Sequence, residues 1–422
     1  MNITRVERGL KAFAFLGFLV LAIIYLPRPT LTIAVHQGVE GVPLKQVAQQ
    51  FCQKVYRGDI KVVELDYDEL YEAEWSAVAG RGASYPFESY PRFDVIMLDD
   101  PWLPALAASN QLRPLDVAAL TGNNVQDFPP ASLKACQVAS AYYALPFTGN
   151  SQLFCRATRK GAPKTALPAN WKQLLEPGFA EAGRVPYAMR LRPGNSIATD
   201  FFPILWEFAP KSFTEQDYLN LDPKQSAAAL ETFRRLAATQ NWAGAVTQDV
   251  DVAVSLALGS ASSGIVWSSW AMALERLEDQ VGAASGAQLE FGWFGDESSK
   301  PLLGNWLLAV PSNSPHPQQA EQFIQFAIAK EQMEMAAKFG NPPARISVLS
   351  GDLRKTYPSF GAQLASLKQA RPRPRTPCWR EVERKVGDAL SQWEVAGADV
   401  IGGLQRSLAE TWERDQKNGC SQ

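Results

Sequence analysis

The stretch FDVIMLDDPWLPALAASNQLRPLD, residues 93–116, indicates the fold class of this 422-residue chain. Residues 93–98 predict a buried strand, and an Asp-Asp-Pro-Trp turn and a short helix follow it. Residues 31–35 and 60–65 are also rich in β-branched residues, and each is followed by a helical pattern. Because strands and helices alternate, the sequence predicts an α/β unit with a mostly parallel sheet.

The turns after two of these strands are expected to meet at one edge of the sheet. Ligands of such sheets bind in the crevice beyond the carboxyl ends of the strands, where residues 37–40 and 99–102 lie. A bland turn does not need a large aromatic side chain beside its acids. Trp102 offers a ring-sized apolar face, and a carboxylate can accept from hydroxyl groups. The Asp-Asp-Pro-Trp segment is therefore predicted to form the lip of a ligand cleft.

The composition describes a globular chain of two or three domains or lobes. The chain is 46% hydrophobic and 20% charged, so it can bury a sizeable core. Its formal net charge is −2, and the lack of a basic excess argues against a nucleic-acid partner.

The first 30 residues have the layout of an export signal. Arg5, Arg8 and Lys11 precede an apolar run over residues 12–26, which is short for a membrane span. No small-residue cleavage site follows, so we expect a signal-anchor that keeps the basic residues in the cytoplasm and places the body outside. A buried N-terminal helix is the alternative interpretation.

The five cysteines include no Cys-x-x-Cys pair, so zinc and thioredoxin-like sites lack support. Export makes disulfides possible, and the pairings we expect are Cys136 with Cys155 and Cys378 with Cys420. Spacing alone does not establish this connectivity.

The sequence lacks the motifs of common enzymes. It contains two histidines, His36 and His316, and no Gly-x-Ser-x-Gly, His-Glu-x-x-His or phosphate-loop motif. His36 ends a strand and could contact a ligand or simply terminate the strand. Asp99 and Asp100 are adjacent, so on an extended chain they point in opposite directions and cannot flank one glycosidic bond.

Aromatic and polar side chains recur after predicted strands. A tryptophan face packs on the C–H face of a sugar ring while carboxylates and amides bond its hydroxyls. Each tryptophan alone is as typical of a core as of a cleft. The tryptophans in question are Trp102, Trp206, Trp270, Trp306 and Trp379, and the polar residues are Asp99, Asp100, Asn150, Asn195, Asp200 and Asn305.

Several short motifs occur in an order that resembles the family 1 extracellular solute-binding proteins, the maltose- and glycerol-phosphate-binding type that supplies ABC importers. Each motif is loose, and the resemblance rests on their order and spacing over residues 31–412. They are DVI with LRPLD (94–96, 112–116), YALPF with QLF (143–147, 152–154), PANW (168–171), LGNW onward to Phe326 (303–326), NPPAR (341–345) and the Arg-Pro run before Trp379 (371–379).

The resemblance implies a type II periplasmic-binding-protein-like α/β fold, in which two lobes close around a ligand at a hinge. Both lobes would be discontinuous: residues 31–136 plus 301–344 form lobe 1, and residues 137–300 plus 345–422 form lobe 2. Members of the family are usually cleaved or lipid-anchored, so the predicted uncleaved anchor departs from the family pattern.

The resemblance also implies a set of ligand-binding positions. Asn305 replaces the second glycine of the family's Gly-Gly-aromatic turn, while Gly304 is kept. Arg345 could bond a ligand or form a structural ion pair. The positions are Gln37, Glu40, Asp99, Asp100, Trp102, Asn150, Phe201, Trp270, Asn305, Trp306, Arg345 and Trp379, with Phe202 beside Phe201.

The sequence therefore predicts a monomeric substrate-binding protein without catalytic activity, cofactor or metal. It would bind a carbohydrate or related polyol and deliver it to an ABC permease in the membrane. A membrane-tethered sensing or docking module of the same fold is the alternative, followed by an exported glycoside hydrolase. The sequence leaves open whether the ligand is a monosaccharide, an oligosaccharide, a polyol or a glycerol phosphodiester.

Overall fold

The computed structural model of the chain describes residues 29–56, 58–79, 91–163, 165–192, 194–214, 218–240, 248–281, 287–392 and 400–418. The strands are β1 (Leu31–His36), β2 (Ile60–Leu65), β3 (Val95–Asp99), β4 (Gln137–Val138), β5 (Ala141–Tyr142), β6 (Ala144–Pro146), β7 (Gln152–Arg159), β8 (Ser263–Trp267), β9 (Ala287–Gly292) and β10 (Trp306–Ala309).

The helices that occur between and after these strands follow the same chain order. They are α1 (Gly41–Phe51), α2 (Tyr67–Ala79), α3 (Leu103–Ala108), α4 (Val117–Leu120), α5 (Pro130–Ala135), α6 (Asn195–Phe208), α7 (Pro223–Ala238), α8 (Asp249–Ala257), α9 (Ser268–Val281), α10 (Pro317–Ala327), α11 (Lys330–Ala337), α12 (Ile346–Leu349), α13 (Ser359–Gln369), α14 (Trp379–Ser391) and α15 (Val400–Asn418).

The first sheet has the order β2-β1-β3-β10-β6. Strand β1 pairs in parallel with β2 and β3, and β10 is antiparallel to β3 and β6. Ile33, Ile96 and Leu308 on its central strands are fully buried. Helix α1 covers the sheet with an apolar stripe that includes Leu44 and Phe51. The carboxyl ends of β1 and β3 therefore open at one edge, as the sequence predicts.

The second sheet has the order β8-β7-β9, with β7 antiparallel to both neighbours. Helices α8 and α9 pack on this sheet, and α6, α7, α14 and α15 pack against one another beside it. Two extended segments connect the sheets and lie side by side. The Gly304 N–H donates to the Asn150 carbonyl oxygen over 3.0 Å, and the Gln152 N–H donates to the Leu302 carbonyl oxygen over 3.0 Å. The predicted α/β class is confirmed.

Some elements differ from the sequence predictions. The apolar pattern of residues 318–339 predicts one helix, but the structure has two, because Ala329 is extended (φ −63°, ψ 148°) between α10 and α11. The sequence from Trp171 onward also predicts the start of a helix, and the structure has a 3₁₀ turn over Trp171–Leu175 there. Strand β9 and helix α8 were not predicted. Among the described residues, no helix is long and apolar enough to cross a membrane. Residues 1–28, which carry most of the predicted signal or anchor, lie outside the described residues.

The cysteines correct one prediction. Cys136 is a buried thiol that forms no disulfide, so its expected pairing with Cys155 is wrong. Burial raises the pKa of the Cys136 thiol, whose Sγ donates to the Ser132 carbonyl oxygen over 3.3 Å. Cys378 is disulfide-bonded, and Cys420, its expected partner, lies outside the described residues.

Candidate functional site

A cavity of about 320 Å³ lies between the two sheets, beyond the carboxyl ends of β1, β3 and β8. It is walled by aromatic rings, amides and ionisable groups that come from both sheets and from the connecting segments. The lining residues are His36, Gln37, Gly38, Val39, Glu40, Tyr67, Asp99, Asn150, Arg190, Arg192, Asn195, Ser196, Thr199, Gln248, Asp249, Val250, Trp267, Trp270, Gly304, Trp306 and Arg373.

A stacked aromatic pair forms one wall. His36 ends β1 and Trp306 begins β10, and their rings stack with centroids 4.6 Å apart and planes 19° apart. The chain then turns sharply into α1. A Cβ on Gly41 would lie 2.2 Å from the His36 carbonyl oxygen, so this position requires glycine. The tight turn brings Gln37 and Glu40 to the cavity.

Two further indoles belong to the opposite wall. Trp267 ends β8, and Trp270 lies in the first turn of α9. Both are half-buried, so part of each side chain is exposed. A Cβ on Gly304 would lie 2.6 Å from Cζ3 of Trp267, so glycine is what allows this indole to pack on the connecting segment. Gly304 thereby helps to set the width of the cavity.

Gly304→Ala is expected to displace the Trp267 ring, to weaken ligand binding, and to lower the free energy of unfolding by about 1–3 kcal/mol, as overpacking does. Titration calorimetry and urea unfolding would measure the two effects. Gly295→Ala is the matched control, because the nearest atom to its added Cβ would be Cα of Ala169, at an ordinary contact distance of 3.7 Å. Equal behaviour of the two variants would contradict the role assigned to Gly304.

A buried ion-pair network forms the floor of the cavity. Arg373 makes two hydrogen bonds to the Asp99 carboxylate, of 2.9 and 2.5 Å, and a third to Oδ1 of Asp100, of 3.2 Å. The Tyr67 hydroxyl donates to Oδ2 of Asp99 over 2.8 Å, and the Asn305 N–H donates to Oδ2 of Asp100 over 2.8 Å. Burial raises the pKa of Asp100 to about 6 although Arg373 opposes the shift. This network fixes the floor.

A second arginine lines the cavity from the opposite side. Arg190 forms an ion pair with Asp200, which lies in α6. Nη1 of Arg190 also donates to Oδ1 of Asp249 over 2.9 Å. Burial raises the pKa of Asp249 above its ordinary value; Arg190 opposes this shift, and Asp200 and Glu40 add to it. The guanidinium carbon of Arg190 lies 5.6 Å from the centre of the Trp267 ring. Arg190 therefore joins the start of α8 to α6.

Polar contacts cross the cavity where the connecting segments meet. Glu40 accepts from the Ser269 hydroxyl over 3.2 Å, which links the β1–α1 turn to the start of α9. Asn150 is buried, and its N–H donates to Oδ1 of Asn305 over 3.1 Å. Oδ1 of Asn150 has no hydrogen-bond partner within the described part of the chain. Asn150 therefore has an acceptor to offer a ligand hydroxyl.

The structure brings half of the sequence-predicted site residues together around this cavity. They come from the β1–α1 turn, the ends of β3 and β10, the connecting segment and the start of α9. They are Gln37, Glu40, Asp99, Asn150, Trp270 and Trp306.

Trp102 and Asp100 lie behind the cavity wall instead of forming its lip. Trp102 is 1% exposed and packs against Tyr67 (4.8 Å between ring centroids), Tyr71 (5.2 Å) and Trp306 (6.0 Å). Asp100 is 2% exposed and is held by Arg373. Asp99 of the Asp-Asp-Pro-Trp segment lines the cavity, whereas Asp100 and Trp102 support its wall from the core, so the prediction that Trp102 forms the lip is wrong.

Four other predicted residues are also buried away from the cavity. Phe201 packs edge-on against Phe233, and Asn305 is fully buried beside Asn150. Trp379 and Arg345 are also buried in the interior. Trp379 is 1% exposed. Arg345 pairs with Asp127 over 3.0 Å and donates to the Ile328 carbonyl oxygen over 2.6 Å, so the structural alternative applies to it.

Several lining residues were not predicted. Tyr67, Arg190, Trp267 and Arg373 line the cavity, and His36, for which a strand-end role was left open, stacks there. Arg373 belongs to an extended Arg-Pro segment far along the chain from Asp99, and no sequence pattern indicates that pairing. Trp267 lies at the end of a strand, and the same position relative to a strand was the reason for selecting the other tryptophans.

A larger groove of about 1000 Å³ adjoins the cavity. The residues that line both are Gln37, Tyr67, Arg192, Asn195, Ser196 and Gln248. Among the described residues, no group of three or more His, Cys, Asp or Glu side chains could hold a metal ion. The arrangement is suited to holding a hydroxyl-rich molecule between aromatic faces and hydrogen-bonding groups.

A sequence model of the family described as bacterial extracellular solute-binding proteins matches residues 37–334. No curated protein matches the chain.

Solved structures share the fold. One is an ABC transporter solute-binding protein from Agrobacterium radiobacter in complex with ribitol (20% identity, TM-score 0.75, 92% of this chain and 99% of that chain covered). Another is maltose-bound MalE3 from T. maritima (18%, 0.74, 90% and 99%). A third, from Agrobacterium vitis, contains bound D-mannitol (21%, 0.74, 92% and 99%). The predicted two-lobed α/β fold is confirmed.

Proposed function

Because the chain belongs to the bacterial extracellular solute-binding protein family, we propose that it binds a carbohydrate or related polyol outside the cytoplasm and delivers it to an ABC permease. The observation that carries this proposal is the cavity between the two sheets, which combines indole faces with hydrogen-bonding side chains from both walls. Indoles pack on the apolar faces of sugars and polyols, and amides and carboxylates bond their hydroxyls. The bound ribitol and D-mannitol of the structural neighbours support the same ligand class.

The ligand contacts we propose come from the predicted set and from newly recognised residues. Trp270 and Trp306 would pack on the ligand, and Gln37, Asp99 and Asn150 would bond hydroxyls. Trp267 and His36 join them because they line the same cavity.

The mechanism we propose is closure of two lobes around the ligand. Residues 31–136 plus 301–344 would move as one lobe and residues 137–300 plus 345–422 as the other. With this division, the 3.2 Å hydrogen bond from Ser269 to Glu40 would join the two lobes across the cavity. Release to the permease would require this contact to break.

The remaining features of the proposal concern partners and activity. We infer a monomer that interacts with a membrane permease and catalyses no reaction. The lack of common catalytic motifs in the sequence supports the last part of this inference. The basic and apolar pattern of residues 1–30 supports export and a tether to the membrane. A tethered sensing module of the same fold would use the same cavity.

Thermal unfolding against a panel of sugars, polyols and sugar phosphates tests the ligand class. A ligand that binds the folded state alone adds about 2.7 kcal/mol to the free energy of unfolding at a concentration of 100 Kd, so the midpoint should rise with a sugar or polyol. At the same ligand concentration, Trp270→Ala should reduce the rise to about a third. A shift with none of the sugars or polyols, or an equal shift in that variant, would count against the proposal.

A further inference from the structure

The ionisable groups around the cavity leave a surplus of negative charge. Among the described residues, the charged groups that line it are Arg190, Arg192, Arg373, Glu40, Asp99 and Asp249. Behind them Arg190 also pairs with Asp200, and Arg373 also pairs with Asp100. Glu383, the next neighbour of Arg373, pairs with Arg380 and adds no net charge. Five carboxyl groups therefore accompany three guanidinium groups and one imidazole, that of His36, whose Nδ1 lies 3.5 Å from Oε2 of Glu40.

Two of these carboxyl groups belong to opposite walls. Glu40 ends the β1–α1 turn of the first wall, and Asp249 begins α8 on the other. Glu40 contributes to the raised pKa of Asp249, after burial and Asp200. Like charges on facing walls oppose each other, and Arg190 is shared between Asp200 and Asp249. A positive group between the walls would relieve this repulsion.

Independent features of the cavity indicate that a ligand occupies it. Asn150 is 3% exposed and lines the cavity, and its Oδ1 has no hydrogen-bond partner in the described part of the chain. Trp267 and Trp270 add two indoles to the wall from which Asp249 comes. Indole faces attract cations as well as sugar rings. The same wall can therefore accept a ring and a positive charge.

We propose that the ligand carries a protonated amine held between Glu40 and Asp249, so that its chemical class is an amino sugar or amino polyol. This inference rests on the proposed function, because it concerns the same cavity. The amine would join the two walls directly, next to the contact between Glu40 and Ser269. Sugar phosphates are disfavoured by the same surplus of negative charge.

Titration calorimetry with matched ligands tests the inference, using the full-length chain in a detergent without a sugar head group. The probes are glucose, glucosamine and N-acetylglucosamine, together with sorbitol and glucamine. Glucosamine and N-acetylglucosamine share a nitrogen at the same position, but the acetylated form is uncharged. We expect the charged amine to bind about tenfold tighter than its neutral counterparts, the scale of an ion pair that is partly shielded from water.

Glu40→Gln and Asp249→Asn test the two carboxylates. Each amide is nearly isosteric, and glutamine retains an acceptor for Ser269. We expect the ratio of amine affinity to neutral affinity to fall toward one in both, whereas Asp352→Asn, an exposed control paired with Lys355, should preserve it. If the neutral probes bound as tightly as the amines or more tightly, the proposal of an amine ligand would be wrong and the proposed function would remain intact. Binding of none of the probes or of the wider panel would overturn both.

Discussion

Arg373→Gln is expected to lower the free energy of unfolding by about 3–5 kcal/mol at pH 8, the scale for breaking a buried ion pair. Arg373 is 3% exposed and bonds both Asp99 and Asp100. Without the guanidinium group, two buried carboxylates would face each other with little compensation. Urea unfolding, followed by tryptophan fluorescence, would measure the loss.

The loss of stability in Arg373→Gln is expected to depend on pH. The pKa of Asp100 is raised to about 6 by burial, with Arg373 opposing the shift, so removal of Arg373 should raise it further. A carboxyl group whose pKa is raised by folding binds protons more tightly in the folded state, and its ionisation destabilises the fold as pH rises. The deficit of the variant should therefore be smaller at pH 5 than at pH 8.

Arg371→Gln is the matched control for Arg373→Gln. The Arg371 guanidinium donates to the Pro210 carbonyl oxygen and lies 4.5 Å from the centre of the Trp206 ring, so its loss leaves no buried carboxylate behind. We expect a smaller loss with little dependence on pH. A deficit that is the same at pH 5 and pH 8 for Arg373→Gln would contradict the electrostatic explanation.

The sequence predicts well those features that depend on neighbouring residues. Strand β2 is predicted at its observed bounds and β1 within one residue, because β-branched runs bounded by turns indicate local preference and burial. The break at Ala329 was missed because the apolar pattern of residues 318–339 continues through it. Hydrophobic spacing does not detect one extended residue.

The site was less predictable because its side chains are paired over long distances in sequence. Asp99 bonds Arg373, which lies 274 positions further along the chain. Asp99, in the turn after β3, lines the cavity. The sequence of this turn does not distinguish Asp99 from Asp100 and Trp102, which lie behind the wall, because the difference depends on contacts with Arg373 and Trp306 far along the chain.

Trp270→Ala is expected to weaken binding of the sugar or polyol about 30-fold, which corresponds to about 2 kcal/mol for an aromatic residue that carries much of the binding energy. Trp270 is half-buried and lines the cavity, so its loss removes a ring face without emptying a core position. Stability should change little. Titration calorimetry with the tightest ligand, together with urea unfolding, measures both quantities.

Trp379→Ala is the matched control for Trp270→Ala, because it is expected to lower stability and to leave ligand affinity nearly unchanged. Trp379 is 1% exposed at the start of α14, packs 6.0 Å from Phe202 and lies outside the cavity lining. Its truncation should lower the free energy of unfolding by about 3–5 kcal/mol, as large-to-small changes of buried aromatics do. The protein that remains folded should bind with nearly unchanged affinity, because the cavity wall keeps its indoles. If Trp379→Ala lost affinity at unchanged stability while Trp270→Ala did the reverse, the cavity between the sheets would not be the ligand site.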